Sequence, residues 1–559
     1  MRLRQRDFTG MTSGKVTERE KEAGKLVRET ASEGFVLLKN DSQLLPLPPK
    51  SKLALYGAGA GKTIKGGTGS GDVNERKSVT IYQGLVHAGY EITTKTWLMS
   101  YEEDYQKARE KWSQTIQKKM KEENLPFYLA YFNTPFTIPA GELPEKKVEE
   151  DDAEVAVYVL SRSSGEGADR TDGQGDYFLT EEELSLLKRI ATFYSRILLV
   201  LNTGGIVDLG FTEKIPEIKS ILLFGQAGQE GGNAFADVIS GKTVPSGKLT
   251  DTWARNLGDY PVMQFPGFSK RRVEYRENVY VGYRYFDTFQ VPVRYSFGFG
   301  LSYTAFQIKV EEISPGTGQE KTPCLRLKAV VKNIGNRYPG KEVVQIYVSC
   351  PQNRLGKEFR RLAAFEKTRE LEPGETQRVE ISIHLSSLAS YDEEQSAWIL
   401  EEGSYGIWLG NALETAELVG IASLEKETVV HSCRKICGNR STIEELHPDK
   451  EAQRQREKEW QREAEERNLP RVNLGELCFP TSDVSFSGSF WQISRQAEQI
   501  VNALTEEELI AVTVGALDSQ NQGIIGAAGK SVPGAAAETT SIFKGEPHYL
   551  AGIVLADGP

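Results

Sequence analysis

Cysteine is scarce. Only Cys324, Cys350, Cys433, Cys437 and Cys478 occur in 559 residues. An odd, sparse set of this kind excludes a disulfide framework. Cys433 and Cys437 are spaced C-x3-C with His431 nearby, but zinc generally wants a second ligand pair. Plain thiols and no metal are expected. No apolar run reaches the length of a membrane-spanning helix. The opening "MRLRQRDFTGMTSGKVTEREKEAG" has basic residues but lacks the apolar core of a secretory signal, which points to a cytoplasmic compartment. A basic excess is missing too. The formal net charge is -10, which argues against a nucleic-acid backbone as the main partner, because such binders cluster Lys and Arg.

What is present is enough for several cores. The length suggests three or four domains of about 100–200 residues each, and 39% of the residues are hydrophobic. "VTEREKEAGKLVRETASEGFVLLKN" (16–40) reads as a helix running into a strand. Thr17 and Glu20 have the spacing of a capping box. Buried strands follow at "KLALYG" (52–57), "AEVAVYVLSR" (153–162), "RILLVLNTGG" (196–205) and "IKSILLFGQAG" (218–228). Helical patterns separate them, one capped by Thr180 and Glu183. Continuous apolar strands alternating with helices predict a mostly parallel sheet covered on both faces, with ligands at the strand exits.

After about residue 295 the texture changes to short strands between Gly, Pro and Asn turns, the pattern of a β-sandwich. Trp398 and Trp408 fall in that pattern and are expected in its core. "PDKEAQRQREKEWQREAEER" (448–467) has thirteen charged residues in twenty and no apolar heptad, so it reads as an exposed helical linker. The last 70 residues open with helical patterns, with a second capping box at Thr505 and Glu508. They end on the apolar strand "AGIVLADGP", whose sheet would lack neighbours. A truncated version of a longer protein is expected.

"YGAGAGKTIKGGTGSGDVN" (56–74) raises the question of a phosphate cradle. A P-loop counted back from Gly61-Lys62-Thr63 needs glycine at position 56, where Tyr56 stands. The dinucleotide fingerprint fails as well, since its third glycine falls on Lys62 or Asp72. More glycines follow where a helix should begin. A loop brought close to some other ligand is the better reading. "GQEGGNA" and "PSGKL" are explained by capping and tight turns.

"VAVYVLSRSSGEGADRTDGQGDYFLTEEE" (155–183) sets Glu166 between two glycines beyond a strand end. A carboxylate so placed suits general acid/base work, although most loop carboxylates are simply solvated. Together with "ASEGFVLLKNDSQLLPLPPKSKLALYG", "VLNTGGIVDL", "GQAGQEGGNAFADVISGKTVPSGKL", "YRENVYVGYRYFDTF" and "YSFGFGLSYTAF", this segment resembles the C-terminal half of glycoside hydrolase family 3, the β-glucosidase family. "LTEEELIAVTVGA", "VPGAAAETT" and "GIVLADGP" resemble the start of that family's catalytic barrel. The order resembles the branch in which the sandwich and fibronectin-like domains precede the barrel, a plausible permutation because domains fold on their own cores.

The resemblance implies an α/β plus all-β fold class. An α/β sandwich domain would span 1–255, a connecting segment 256–299, a fibronectin-III-like β-sandwich 300–425, a charged linker 426–489, and the incomplete start of a (β/α)8 barrel 490–559. It implies a retaining two-carboxylate hydrolysis of β-glucosides, with neither cofactor nor metal. Glu166 matches the acid/base position. Asp557 matches the barrel Asp that binds sugar hydroxyls, although a strand-end turn is its blander reading. Gly69 and Ser70 match a glycine-rich loop leaning over the barrel mouth. No "SDW"-like nucleophile motif or barrel Lys-His pair is present, and Asp172 and Asp176 are poor substitutes. The chain alone is therefore expected to have little or no activity. Its partners would be a β-glucoside or oligosaccharide and, at most, further copies of itself, with neither nucleic acid nor membrane. A non-catalytic carbohydrate-binding or scaffold protein is the alternative.

Overall fold

The computed structural model describes residues 15–67, 77–145, 152–165, 170–265, 273–318, 322–435, 443–479, 495–513, 535–539 and 553–556. The first unit is built on strands β1 (Val36–Asn40), β2 (Lys52–Tyr56), β3 (Glu91–Ile92), β4 (Val155–Arg162), β5 (Ile197–Thr203) and β6 (Ile218–Leu223). They form one sheet in the order β1-β6-β5-β4-β2-β3. β2 to β6 are mutually parallel, and β1 closes one edge antiparallel to β6.

Alternation within the strands fills a core on each face. Val157, Val159, Leu198 and Val200 face α1 (Glu18–Gly34), α2 (Ile81–His87) and α6 (Gly231–Ile239). Tyr158, Leu160, Leu199 and Leu201 face Leu186, Leu187 and Ile190 of α5 (Glu181–Ala191). Buried on both sides, these strands read as continuous apolar runs. Both predicted N-terminal capping boxes are present. The Thr17 hydroxyl accepts from Glu20 N while Thr17 N donates to the Glu20 carboxylate. Thr180 and Glu183 repeat the arrangement.

Between β3 and β4 stands a helix the motif reading did not resolve, α3 (Lys95–Glu122), followed by α4 (Phe127–Phe132). Trp97 stacks on Tyr101 at 5.4 Å between ring centroids and meets Tyr56 edge-on at 5.2 Å. This fastens the base of α3 to the sheet.

A short connecting unit holds β7 (Trp253–Ala254), α7 (Tyr283–Thr288) and β8 (Val293–Tyr295), with β7 paired to β8. The β-sandwich follows. One sheet joins β9 (Phe306–Thr317), β10 (Pro323–Asn333) and β13 (Thr376–His384); the other joins β11 (Val343–Ser349), β12 (Arg361–Lys367), β16 (Gly403–Gly410), β17 (Glu417–Leu424) and β19 (Arg471–Asn473). β14 (Ser390–Asp392), β15 (Ala397–Leu400) and β18 (Thr428–Ser432) make a small third sheet. Val331, Val344, Ile346, Ile383 and Ile407 lie at the centre of the sandwich core.

Three expectations change here. Trp398 is not core: it is 44% exposed on β15. The alternation of a short strand names two faces without saying which one is covered. Trp408 is half-buried, donating its indole N–H to Ser349 Oγ at 2.9 Å. The charged stretch is helical, as α8 (Lys450–Glu466), but it is no free linker. Trp460 and Ala464 are buried against Phe359, Leu418 and Ile421. The Arg456 guanidinium lies 3.3 Å from the Phe359 ring centre, and Gln453 Nε2 donates to Thr288 O at 2.9 Å. Beyond α8, β19 adds to the sheet parallel to β17. The stretch 426–489 thus contributes β18, α8 and β19 to the sandwich unit.

Residues 495–503 and 506–513 form α9 and α10, with the Thr505–Glu508 capping box in place. β20 (Ala535–Thr539) and β21 (Ile553–Ala556) pair antiparallel, whereas barrel strands run parallel.

The sandwich is tied to the α/β unit by charge. Glu33 on α1 receives Lys341 and, at 2.6 Å, Lys367 Nζ, and Lys248 Nζ meets Glu342 at 2.8 Å with both side chains nearly buried. Partial burial disfavours the Glu33 carboxylate, but the lysine hydrogen bonds outweigh it and hold the group below the usual 4.5.

A depressed carboxylate contributes stability above its unfolded value and loses it as pH falls. The thermal midpoint, followed from about pH 6 to about pH 3, is therefore expected to drop less steeply in Glu33→Gln than in wild type; identical profiles would remove this role. Trp460→Ala is expected to cost about 3–5 kcal/mol, read as a lowered urea midpoint. A wild-type midpoint would show that α8 detaches at no expense.

Candidate functional site

In an open parallel sheet, ligands sit outside the carboxyl ends of the strands. Here the loops leaving β2, β4, β5 and β6 meet at that edge, and one buried side chain ties two of them to the ends of β4 and β5. Asn202, near the end of β5, is fully buried. Its Oδ1 accepts from Ile64 N at 2.7 Å and from Ser161 Oγ at 3.1 Å. Its Nδ2 donates to Ile64 O and Gly225 O, both at 2.8 Å. Gly228 N then donates to Lys65 O at 2.8 Å, closing the loop after β6 onto the loop after β2.

The Gly-Lys-Thr run has structural tasks. Lys62 Nζ pairs with Glu102 of α3 at 2.6 Å and lies 4.9 Å from the Tyr105 ring centre. Thr63 Oγ1 donates to Gly59 O at 2.6 Å and accepts from Ile81 N, at the start of α2, at 2.8 Å. The lysine and hydroxyl that a phosphate loop would offer to its ligand are thus engaged within the fold.

Glu166, Gly69, Ser70 and Asp557 all lie outside the described residues. The ends of their loops are described, and they converge. A Cβ on Gly67 would lie 2.4 Å from Ser164 O and 3.1 Å from Gly165 Cα, and one on Gly204 would lie 2.7 Å from Ser164 Cβ. Only glycine allows this approach, so the loop leading to Gly69 and Ser70 presses on the residues leading into Glu166. Gln226 Nε2 donates to Ser164 O at 3.2 Å.

On the far side of Glu166, Arg170 Nε binds Asp176 Oδ1 at 2.6 Å and its Nη1 donates to Ile206 O at 2.7 Å. Asp176 also accepts from Thr171 N at 2.5 Å. It is a structural anion; Asp172 is exposed. Beneath the loop, Arg162 forms two bonds of 2.6–2.7 Å to Glu183, both side chains nearly buried. The Glu183 carboxylate accepts from Thr180 N as well. One carboxylate thus caps α5 and fixes the end of β4.

Asn202, Gln226, Arg162, Glu183 and Arg170 escaped sequence reasoning as parts of this edge. The available signal was polar residues at the ends of otherwise apolar strands, as in "VLNTGG".

The sequence profile of the glycosyl hydrolase family 3 C-terminal domain matches residues 35–303, and that of the fibronectin type III-like domain matches 342–412. Residues 35–303 belong to glycoside hydrolase family 3, as its C-terminal domain. It is 35% identical over 451 residues to β-glucosidase A of Butyrivibrio fibrisolvens, covering 72% of this chain and 51% of that protein. With the β-glucosidase of Ruminococcus albus it shares 34% over 418 residues, covering 72% and 41%. Among solved family 3 structures, β-glucosidase 3B of Thermotoga neapolitana in complex with glucose aligns with TM-score 0.60 and 37% identity, over 74% of this chain and 55% of that one. The β-glucosidase of Paenibacillus barengoltzii aligns with TM-score 0.63 and 31% identity, over 74% and 45%. The chain spans about half the length of the curated relatives it matches. The α/β and fibronectin-like units described above are the family 3 C-terminal pair.

Removing the Asn202 carboxamide takes away the partners of the half-buried Ile64 and Gly225 backbone groups, at about 1–3 kcal/mol. Asn202→Ala is expected to speed amide hydrogen exchange in peptides covering 57–67 and 224–231. Unchanged exchange in both would show that Asn202 is not their pin.

Proposed function

We propose that this chain supplies the acid/base half of a retaining β-glucosidase, with Glu166 protonating the departing glycosidic oxygen. The single observation that carries the reading is the convergence of Gly67 and Gly204 on Ser164 and Gly165 at the carboxyl edge of a family 3 C-terminal sheet. The segment bearing Glu166 thus follows a rigid base, as a group that must meet a reacting oxygen within hydrogen-bond reach requires. Gly69 and Ser70 approach the same substrate from the loop after β2, their backbone N–H groups and the Ser70 hydroxyl meeting sugar hydroxyls.

Retention needs a second carboxylate about 5–5.5 Å from the first. No "SDW"-like motif occurs in these 559 residues, so the nucleophile is not among them. Residues 490–559 are proposed as the opening of the family's barrel, with Asp557 binding a sugar hydroxyl pair. Motif order supports this reading; the antiparallel pairing of β20 with β21 does not by itself make a barrel unit. The sandwich-first order is the permuted arrangement, and the substrate class is β-glucosides, by likeness to relatives named for that activity.

Purified 1–559 is expected to release no aryl aglycone above background, and robust turnover would overturn the missing-nucleophile reading. In a protein joining this chain to a complete family 3 barrel, Glu166→Gln is expected to lower kcat about 10²–10⁴-fold on glucosides with poor leaving groups. Glucosides whose leaving group needs no proton should be spared. Equal loss on both would deny Glu166 the acid role.

A further inference from the structure

We infer that the third sheet of the sandwich unit carries a second carbohydrate site, a surface platform for a neutral glucan chain. β14, β15 and β18 put Tyr391, Trp398 and His431 in direct cross-strand register. Directly opposed residues share a face, so three rings stand in one row across the sheet. Tyr391 is 37% exposed, Trp398 44%, and His431 is exposed as well. On the opposite face Asp392, Ala397 and Ile399 are buried, although Val429, paired with Ile399, is exposed.

A solvent face normally carries polar side chains. This one spends its central positions on aromatics, and large apolar groups clustered in water mark contact sites. Strand spacing makes the row about 10 Å long, the span of two sugar rings in an extended chain.

The chemistry selects the occupant. An aromatic face is electron-rich and attracts the polarised axial C–H groups that a β-linked glucose presents on both ring faces. The segments flanking the row carry Glu393, Glu394, Glu425 and Glu427 together with Lys426, Arg434 and Lys435. Arg354 is engaged with Asp392 at 2.7 Å and with Glu427 at 3.5 Å, and Arg361 donates to Ser390 Oγ at 3.3 Å. Gln395 Nε2 is hydrogen-bonded to Glu427 at 2.9 Å. A rim of mixed sign offers a polyanion no concentrated positive field, while its carboxylates accept hydrogen bonds from hydroxyls. Tyr391 and Trp398, 5.6 Å apart between ring centroids, are inclined by 58°. Rings so tilted cradle a twisted soluble chain rather than the flat surface of a crystalline one. The choice of a glucan over another neutral glycan rests on the proposed glucosidase reading; the platform itself does not.

The test uses 1–559 in native gels containing barley mixed-linkage β-glucan or hydroxyethylcellulose. Retardation of wild type is expected, weakened at least about tenfold in Trp398→Ala and Tyr391→Ala, largely kept in Trp398→Phe, and unchanged in Glu166→Gln. Thermal midpoints of the three ring variants should match wild type, since the rings are not core. No retardation by either glucan, or equal retardation of Trp398→Ala, overturns the site. So does a sedimentation profile in which Trp398→Ala abolishes only self-association, since the face would then be an interface between copies. If Glu166→Gln loses retardation while Trp398→Ala keeps it, binding belongs to the catalytic edge and the platform is rejected without touching the glucosidase reading.

Discussion

A parallel sheet delivers several chain segments to one edge but does nothing to hold them there, and in this protein the Asn202 carboxamide does the holding. A single amide offers two donors and two acceptor lone pairs. Asn202 uses them on the backbone after β2, the backbone after β6 and the hydroxyl of Ser161 on β4. Because Asn202 itself is buried, each bond its carboxamide left unmade would leave a buried polar atom unpaired. The glycines can press together at Ser164 only because their loops start from this fixed point.

The same economy of polar groups appears below the edge and between the units. Glu183 completes a helix cap and neutralises a buried arginine, so the start of α5 and the end of β4 move together. Glu33 gathers two lysines from the sandwich onto α1. A buried charge that loses its partner is far more expensive than the pair was favourable. Such contacts act as registration marks that fix which surfaces face each other, while Leu37 accepting from Leu301 N at 2.9 Å continues the join in backbone.

Much of this was legible in the sequence where local chemistry decides the outcome. Thr17 with Glu20 and Thr180 with Glu183 announce helix starts because donor and acceptor are only three residues apart. The apolar strands announce themselves because a sheet covered on both faces leaves no position for a polar side chain except at its ends. What was not legible depends on partners distant in sequence. Arg162 and Glu183 look like surface charges until the fold buries them together. Trp398 looks like core because the sequence does not tell which side of a three-stranded sheet has a neighbour. The role of Gly67 became clear only once Ser164 was placed against it; Glu166, Gly69, Ser70 and Asp557 lie outside the described residues. α3 was signalled by Trp97, Tyr101 and Tyr105 at four-residue spacing, an aromatic stripe hidden among charges.

The docking of α8 moves the anchor point of the chain. With Trp460 buried and β19 in the sheet, the sandwich unit's last described residue is Phe479 rather than one near Glu425. The next described element begins at Arg495. Even drawn out fully, the fifteen residues 480–494 reach at most about 50 Å. Whatever starts at Arg495 therefore stays within that distance of the sandwich unit, at a local concentration set by geometry instead of by diffusion.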